Sequence, residues 1–330
     1  MRIFPGFHPL LCIVALVSLP TLSAGDGCLD KEIPSLVART GGGFVFGDRR
    51  LTISLDADFL LQNVTTCDPT TGRGQGMLDG DRMPPMAGVP WWSVNLTTPP
   101  CRGLPAGTEV GPQHASTRTW DFSVSADGLA TLTLQYRNLT AGNASISADV
   151  NITVTMGGLG ASEGEAAFRF KVSPHGGAGT HSPYCVTAMS FPLLNPLVLR
   201  DTRDQLFVPH FFGHVGDLSQ ACGGGDCTLS MAKTSVMRGE HALMPNGNER
   251  SMQFMAAYSN RSGQSLGVYL GSHDTKGRLQ QLLAEGGYDS RPRHSFAAVR
   301  WLHFPVDIAD STGVYQVTPH LIFKYDVKYL

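Results

Sequence analysis

The sequence of 330 residues has few charged residues and little helical periodicity, and both shortages limit the classes of protein to which it can belong. Charged side chains make up 16% of it, and 25 basic residues nearly balance 27 acidic ones. Because no basic run with interleaved aromatic residues occurs, nucleic acid is excluded as a partner. Low charge together with many Gly, Thr, Ser and Asn residues is typical of a secreted β protein.

The chain begins with the pattern of a cleavable signal peptide over residues 1–24. Arg2 supplies positive charge, residues 10–17 form a short apolar run, and small residues lead up to Ala24. An uncleaved anchor or a buried core segment is the alternative, but the run is shorter than the about 20 apolar residues that a membrane span needs. No second run of that length follows. We therefore expect a secreted or secretory-lumen protein without a membrane span after the leader.

The placement of asparagine supports the same location. Residues 25–330 contain nine asparagines, and six of them stand in Asn-x-Ser/Thr acceptors for N-glycosylation. A glycan needs the surface, so we expect exposed loops or solvent-facing strand positions for Asn63, Asn95, Asn138, Asn143, Asn151 and Asn260. For any single acceptor, the alternative is that the motif is part of a Thr-rich strand edge and is not glycosylated.

Six cysteines remain after the leader, an even number that predicts disulfides in an oxidising compartment. Cys222 and Cys227 flank a short glycine-rich loop whose ends can approach each other, and they form the first predicted pair. Cys67 and Cys101 form a second predicted pair that would close a long irregular segment. A metal knuckle is the alternative, but no nearby Cys or His pair completes a tetrahedral set. We expect no metal and no cofactor.

Alternating apolar and polar residues predict strands along most of the chain. Residues 120–124 and 130–137 alternate on both sides of an Asp127-Gly128 turn, which predicts a hairpin. The polar face of 146–156 predicts a strand on an outer, solvent-facing wall. Residues 231–237 and 279–284 could be short helices or strands. Further strands are predicted at 166–172, 186–191, 206–208, 252–258, 266–270, 297–304 and 315–324. Many strands separated by turns predict an all-β fold, a large antiparallel β-sandwich.

Residues 68–112 interrupt this pattern with repeated Gly and Pro. We predict a long loop that contains one strand at 91–96, and a linker between domains is the alternative. Trp91 and Trp92 argue against a linker because adjacent large aromatic side chains need a surface to bury against. Residues 41–43 are three glycines without a following helix, so they predict a flexible lead into the first strand rather than a phosphate loop. We expect residues 25–330 to form a single domain.

Two histidine-containing segments carry the candidate chemistry. His210 and His214 stand four residues apart, but the proline and glycine around them argue against the helix that a zinc site would use. Histidines bonded to backbone carbonyls, or a sugar-facing loop, are the alternatives. His273 and Asp274 could supply acid and base groups, although an ordinary turn explains the same residue types. No spacing pairs the nearby carboxylates as glycoside hydrolysis requires.

Several segments, taken in order, resemble one known family. The most specific are Phe-Pro-Leu-Leu at 191–194 and Gly-Val-Tyr-Leu-Gly-Ser-His-Asp at 267–274. The others are 91–96, 132–136, 206–209 and 253–258. Together they resemble the N-terminal galactose-mutarotase-like β-sandwich, a supersandwich, of large glycoside-hydrolase-like proteins. In that family a (β/α)₈ barrel follows the sandwich and carries the catalytic carboxylates. The mutarotase label describes a shape and does not transfer epimerase activity.

The resemblance implies an accessory, carbohydrate-associated sandwich without complete hydrolase chemistry, because a barrel needs about 200 residues or more and none remain after the matched region. Its partners would be carbohydrate or a catalytic barrel domain, and we expect an exposed apolar patch where a barrel docks. One alternative is a self-sufficient sugar epimerase or lyase that uses the histidines and Asp274. The other is a lectin-like or adhesion surface module.

Overall fold

A computed structural model gives the fold of the chain. It describes residues 28–29, 31–67, 74–76, 90–97, 108–140, 147–158, 164–175, 185–199, 205–208, 214–217, 227–237, 254–261, 264–272, 280–289, 294–303, 315–317 and 319–325. Within these ranges most residues lie in antiparallel strands, and the one helical element is a 3₁₀ turn at Pro112–His114. The predicted all-β antiparallel fold is confirmed.

The strands form three sheets. The five-stranded sheet contains, in spatial order, β1 (Ser35–Ala38), β2 (Phe44–Gly47), β3 (Leu51–Leu55), β4 (Leu61–Cys67) and β5 (Gly74–Gly76). The six-stranded sheet contains β6 (Ser93–Thr97), β7 (Thr108–Val110), β12 (Cys185–Leu199), β15 (Cys227–Met237), β18 (Gln280–Asp289) and β19 (His294–His303). Its spatial order is β15-β18-β19-β12-β6-β7.

The third sheet is the largest and lies opposite the other two. It contains β8 (Ala115–Val124), β9 (Leu129–Thr140), β10 (Ser147–Gly157), β11 (Glu165–His175), β13 (Gln205–Val208), β14 (His214–Asp217), β16 (Phe254–Arg261), β17 (Gln264–Ser272), β20 (Tyr315–Val317) and β21 (Pro319–Tyr325). Its order is β14-β13-β16-β17-β21-β11-β10-β9-β8, and β20 pairs with β11 beside this path. Strand β8 is therefore the last strand at one edge.

Aromatic side chains fill the space between the layers. From the six-stranded sheet, Trp92 packs edge-to-face on Tyr136 of β9 at 4.9 Å between ring centroids. Phe191 of β12 stacks on Phe170 of β11 at 5.2 Å. From the five-stranded sheet, Phe46 contacts Phe122 of β8 at 6.0 Å. Both smaller sheets thus pack against the large sheet, which makes the fold a β-sandwich, and most of the described buried side chains share one main core.

The predicted hairpin at residues 120–137 is confirmed. Strands β8 and β9 pair with Val124 opposite Ala130, and the turn between them contains Gly128 at φ +81°. That backbone conformation suits glycine because a Cβ atom would be strained there. Residues 231–237 and 280–284, within the segments for which the sequence allows a short helix or a strand, lie in strands β15 and β18.

Two sequence predictions fail at the N-terminal half of the chain. The glycines at 41–43 are not a lead into the first strand, because they connect β1 to β2. Gly41 and Gly42 have positive φ, and Arg39 donates its N–H to the carbonyl of Gly43 at 2.7 Å, which closes a tight hairpin turn. Within 68–112 the structure has the predicted strand, as β6, but also β5 and β7, which lack apolar alternation.

The two tryptophans of the 91–96 segment are buried, as predicted. Trp91 exposes 3% of its surface and Trp92 none. Their rings lie in the main core, and Trp91 contacts Phe168 and Phe191 from the neighbouring layers. Phe191 belongs to β12 of the same sheet as this segment, and Phe168 belongs to β11 of the large sheet, so the segment is packed within the sandwich.

Strands β2 and β3 of the five-stranded sheet are buried on both faces. One face, which includes Phe46, Ile53 and Leu55, belongs to the main core. The opposite face of these two strands is buried too, although it carries Thr52 and Ser54. Because strands covered on both sides need not alternate clearly in polarity, the sequence did not mark this sheet.

The polar face of β10 departs from the prediction of a solvent-facing wall. The apolar face is fully buried, as expected, at Ala148, Val150, Ile152, Val154 and Met156. On the opposite face Asn151, Thr153 and Thr155 are only partly exposed, and Asp149 is buried. The burial of Asp149 goes with its ion pair to Arg137 of the neighbouring strand β9, described below.

Candidate functional site

Most residues singled out for catalysis lie outside the described part of the chain. This holds for His210, His273 and Asp274. The backbone of His214 is described: it begins β14 and pairs with Val208 of β13 in a hairpin. The candidate acid–base set therefore stays a prediction.

The disulfide of the structure differs from the predicted one. Cys67 at the end of β4 bonds to Cys28, with 5.8 Å between their Cα atoms. The predicted pairing of Cys67 with Cys101 is wrong, because Cys67 has already formed a bond with the N-terminal segment. The chain enters the five-stranded sheet from Cys28 and β4 returns beside it, so the bond joins two neighbours in space that are 39 residues apart in sequence. Cys222 lies outside the described residues, so its pairing with Cys227 stays a prediction.

The Cys28–Cys67 bond lies at the second buried face of the five-stranded sheet. Leu29, next to Cys28, packs with Val37 and Val45 in a small cluster separate from the main core. The segment after it is also held to the β2–β3 turn, because Arg49 donates its N–H to the carbonyl of Lys31 at 2.9 Å. The disulfide thus ties an N-terminal strap to the sheet that it helps cover.

The glycosylation acceptors differ in their exposure. Asn138 is exposed, whereas Asn63, Asn95 and Asn151 are partly buried on strands. Asn260 lies in β16 and its side chain is outside the described set, as is all of Asn143. Of the described acceptors, Asn138 best meets the expectation of a surface position.

Asn138 owes its exposure to a bulge in β9. The β9–β10 register shifts between Ala148 and Val150, so both Arg137 and Asn138 lie opposite Asp149, and Asn138 has φ +50°. The Asp149 carboxylate accepts the Asn138 N–H at 2.9 Å and pairs with Arg137 at 2.7 Å. These bonds fix a left-handed residue, which asparagine tolerates well, and leave its side chain in solvent.

A buried turn holds the two smaller sheets in place over the large one. The carbonyl of Phe59, in the β3–β4 turn, accepts the hydroxyl of Tyr136 at 3.0 Å and the indole N–H of Trp91 at 3.2 Å. Phe59 has φ +57°, an uncommon conformation for a bulky residue, and the two donors hold it there. Burial raises the pKa of Tyr136 well above its usual range, against a smaller opposing effect of the neighbouring indole N–H groups.

The β8 edge presents the most distinctive described surface. Trp120 exposes 46% of its surface, although its ring contacts Phe44 at 5.6 Å between centroids. Two residues earlier on the same strand face, Arg118 donates two N–H groups to the carbonyl of Pro112, at 3.0 and 3.2 Å. Its third nitrogen lies 3.4 Å from the carboxylate of Asp58, a side chain that is 67% exposed. We call Trp120, Phe44, Arg118 and Asp58 the Trp120 patch.

The Trp120 patch has no signal in the sequence pattern. The alternation of 120–124 predicts a strand, and its large apolar residues Trp120 and Phe122 face the core side of the sheet. Nothing in this alternation shows that β8 is the edge strand of the large sheet, where the side chains are less fully covered. Asp58 and Arg118 are far apart in sequence, so their contact could not be read from spacing.

A second polar cluster lies on the outer face of the six-stranded sheet. Arg300 of β19 donates its Nε–H to the hydroxyl of Ser190 at 3.0 Å and pairs with Glu109 of β7, also at 3.0 Å. Because a guanidinium group donates to it, the Ser190 oxygen serves as an acceptor here, which is a structural arrangement rather than that of an activated nucleophile. On the opposite face, buried His303 lies 3.1 Å from the carbonyl of Phe191.

In the described ranges, no three His, Cys, Asp or Glu residues are grouped closely enough to hold a metal ion. Among the same residues, no helix is long and apolar enough to cross a membrane.

The fold and the disulfide together define the class of protein: an antiparallel β-sandwich with a covalently tied N-terminal segment. No protein-family model matches the chain, and no curated protein matches its sequence.

Proposed function

We propose that this chain is a secreted, N-glycosylated and carbohydrate-associated β-sandwich module, the non-catalytic N-terminal part of a glycoside-hydrolase-like protein. The family resemblance of the ordered segments motivates this function. The sandwich architecture is compatible with it.

One observation carries the proposal: the edge of the large sheet keeps apolar side chains in solvent. Trp120 and Val124 of β8 expose 46% and 45% of their surfaces. Ile33, which precedes β1, exposes 59%. Single exposed apolar residues are ordinary, but two on one face of one edge strand supply a surface for sugar or for a neighbouring domain. A module that frames a sugar cleft needs a surface of this kind.

Two features support the secreted part of the proposal. The Cys28–Cys67 disulfide is typical of proteins that fold in an oxidising compartment. The exposed side chain of Asn138 leaves room for a glycan without disturbing the core. The signal-peptide pattern of residues 1–24 agrees with both.

The proposal is tested by expressing the chain with its own leader in a eukaryotic secretory host. We expect protein in the medium whose mass falls after endoglycosidase treatment. On an array of neutral and acidic oligosaccharides, the purified protein should bind without releasing any sugar product. A retained intracellular protein, or one that binds no oligosaccharide, would contradict the proposal.

The same array separates the alternatives. Release of a shortened or epimerised sugar would establish a self-sufficient enzyme and contradict the proposal of a non-catalytic module. The accessory module and a lectin-like protein both predict binding without turnover, so the array does not separate them. The sequence of the full transcript does. A reading frame that continues into a (β/α)₈ barrel supports the accessory module, and one that stops supports the lectin-like protein.

A further inference from the structure

The exposed ring of Trp120 differs from the other tryptophans of the chain. Trp91, Trp92 and Trp301 expose at most 3% of their surfaces and belong to the core. Trp120 lies on the last strand of the large sheet, paired on one side with Leu134 of β9. Its contact with Phe44, at an interplanar angle of 46°, holds the ring at the surface. The structure therefore offers a fixed aromatic surface.

Polar groups beside this ring are also fixed. Arg118 is held by two hydrogen bonds to the Pro112 carbonyl, so its guanidinium cannot turn away. The turn that carries Asp58 is held by Asp56, whose carboxylate accepts the N–H groups of Asp58 and Leu60 at 2.9 Å each. A hydrogen-bond donor and an acceptor thus lie beside the ring in fixed positions. A ligand does not have to order these side chains, which lowers the entropic cost of binding.

The charges in the Trp120 patch indicate the ligand. Arg118 and Asp58 form an ion pair, so these two side chains present hydrogen-bonding groups whose charges cancel. A pyranose has one face of C–H groups, whose slight positive charge suits the negative face of an aromatic ring, and a rim of hydroxyl groups that donate and accept. A fixed ring beside a neutral donor–acceptor pair matches both parts of such a sugar.

We propose that the Trp120 patch is a binding subsite for an uncharged pyranose, which stacks on Trp120 while its hydroxyl groups bond to Arg118 and Asp58. This inference rests on the proposed carbohydrate-associated function and goes further by naming the site and the class of sugar.

The experiment uses the full secreted protein and a set of galacto-, gluco- and manno-configured neutral oligosaccharides, with oligogalacturonate as the acidic comparison. Because the other three tryptophans are buried, acrylamide should quench chiefly Trp120 fluorescence. A bound neutral sugar should reduce that quenching. Trp120→Ala should weaken binding about tenfold, while Trp120→Phe should retain most of it because a ring remains.

Val124→Ala is the matched control, since Val124 lies on the same strand face with the same exposure. It should weaken sugar binding much less than Trp120→Ala does, because an aliphatic side chain offers no ring on which a pyranose can stack. Asp58→Asn removes the charge that neutralises Arg118, and oligogalacturonate binding should increase relative to neutral sugar binding.

Each outcome decides a specific point. Equal sugar binding by the wild type and Trp120→Ala overturns the subsite and leaves the carbohydrate-associated function standing. Equal losses in Trp120→Ala and Val124→Ala overturn it in favour of a general apolar surface. If the wild type prefers oligogalacturonate to the neutral sugars, the assignment of an uncharged ligand is wrong. If the wild type binds no oligosaccharide, the proposed function fails and the subsite fails with it.

Discussion

The carboxylate of Asp48 gives the sharpest prediction about stability. Its Oδ1 atom accepts the N–H groups of Arg50 and Leu51 at 2.7 and 2.8 Å, which closes the β2–β3 turn. Its Oδ2 atom accepts the N–H of Gly164, 116 residues away at the start of β11, at 3.0 Å. One buried side chain therefore joins the five-stranded sheet to the large sheet.

Asp48→Ala should lower the free energy of unfolding by about 2–6 kcal/mol. Two of the three donors, Leu51 and Gly164, are buried, and each unsatisfied buried donor costs about 1–3 kcal/mol. The Arg50 N–H is partly exposed and can bond to water, so it adds little. Against a total stability of about 5–15 kcal/mol for a domain, this loss is large.

Urea titration followed by tryptophan fluorescence measures the effect as a lower midpoint with an unchanged slope. Asp48→Asn should cost about half as much, because its remaining oxygen can still close the turn while its amide cannot accept from Gly164. Asp58→Ala is the control: it removes another turn carboxylate, but an exposed one, and should cost less than about 1 kcal/mol. A loss for Asp48→Ala no larger than that of Asp58→Ala would refute the reasoning.

Three further predictions concern other described features. Cys28→Ser removes the Cys28–Cys67 bond and should lower stability by about 4 kcal/mol from loop entropy, measured by urea titration. Tyr136 has a pKa raised on folding, so stability should be complete below about pH 10 and fall above it; Tyr136→Phe should flatten that fall in alkaline unfolding curves. Asn138→Gln should remove one glycan from the secreted protein, seen as a single step in mass, and an unchanged mass would contradict its use as an acceptor.

The strands that sequence predicted best are those with one buried face. In β10, five alternate residues from Ala148 to Met156 are buried, so a period of two is visible in the sequence. The β8–β9 hairpin was equally clear because a turn sequence separates two alternating runs. Strands β2 and β3 gave no such signal, since both of their faces are covered and Thr52 and Ser54 are buried with the apolar residues.

The candidate site depended on information that spacing does not hold. Cys67 has five possible partners after the leader, and the choice of Cys28 follows from which strands are neighbours. In the same way, the approach of Asp58 to Arg118 depends on how the β3–β4 turn lies over the large sheet. Such long-range contacts are set by the packing of layers, which one sequence does not reveal.

Strand β8 has a consequence for the solubility of the protein. It is ten residues long with two charged side chains, Arg118 and Asp121, and in the described structure only β9 pairs with it. A long edge with so little charge is a template on which a strand of another molecule can add. A glycan on Asn138 of the adjacent β9 would stand beside this edge and obstruct that addition. Enzymatic removal of the glycan should then promote association through β8, so the sugar would protect the sheet as well as mark a secreted protein.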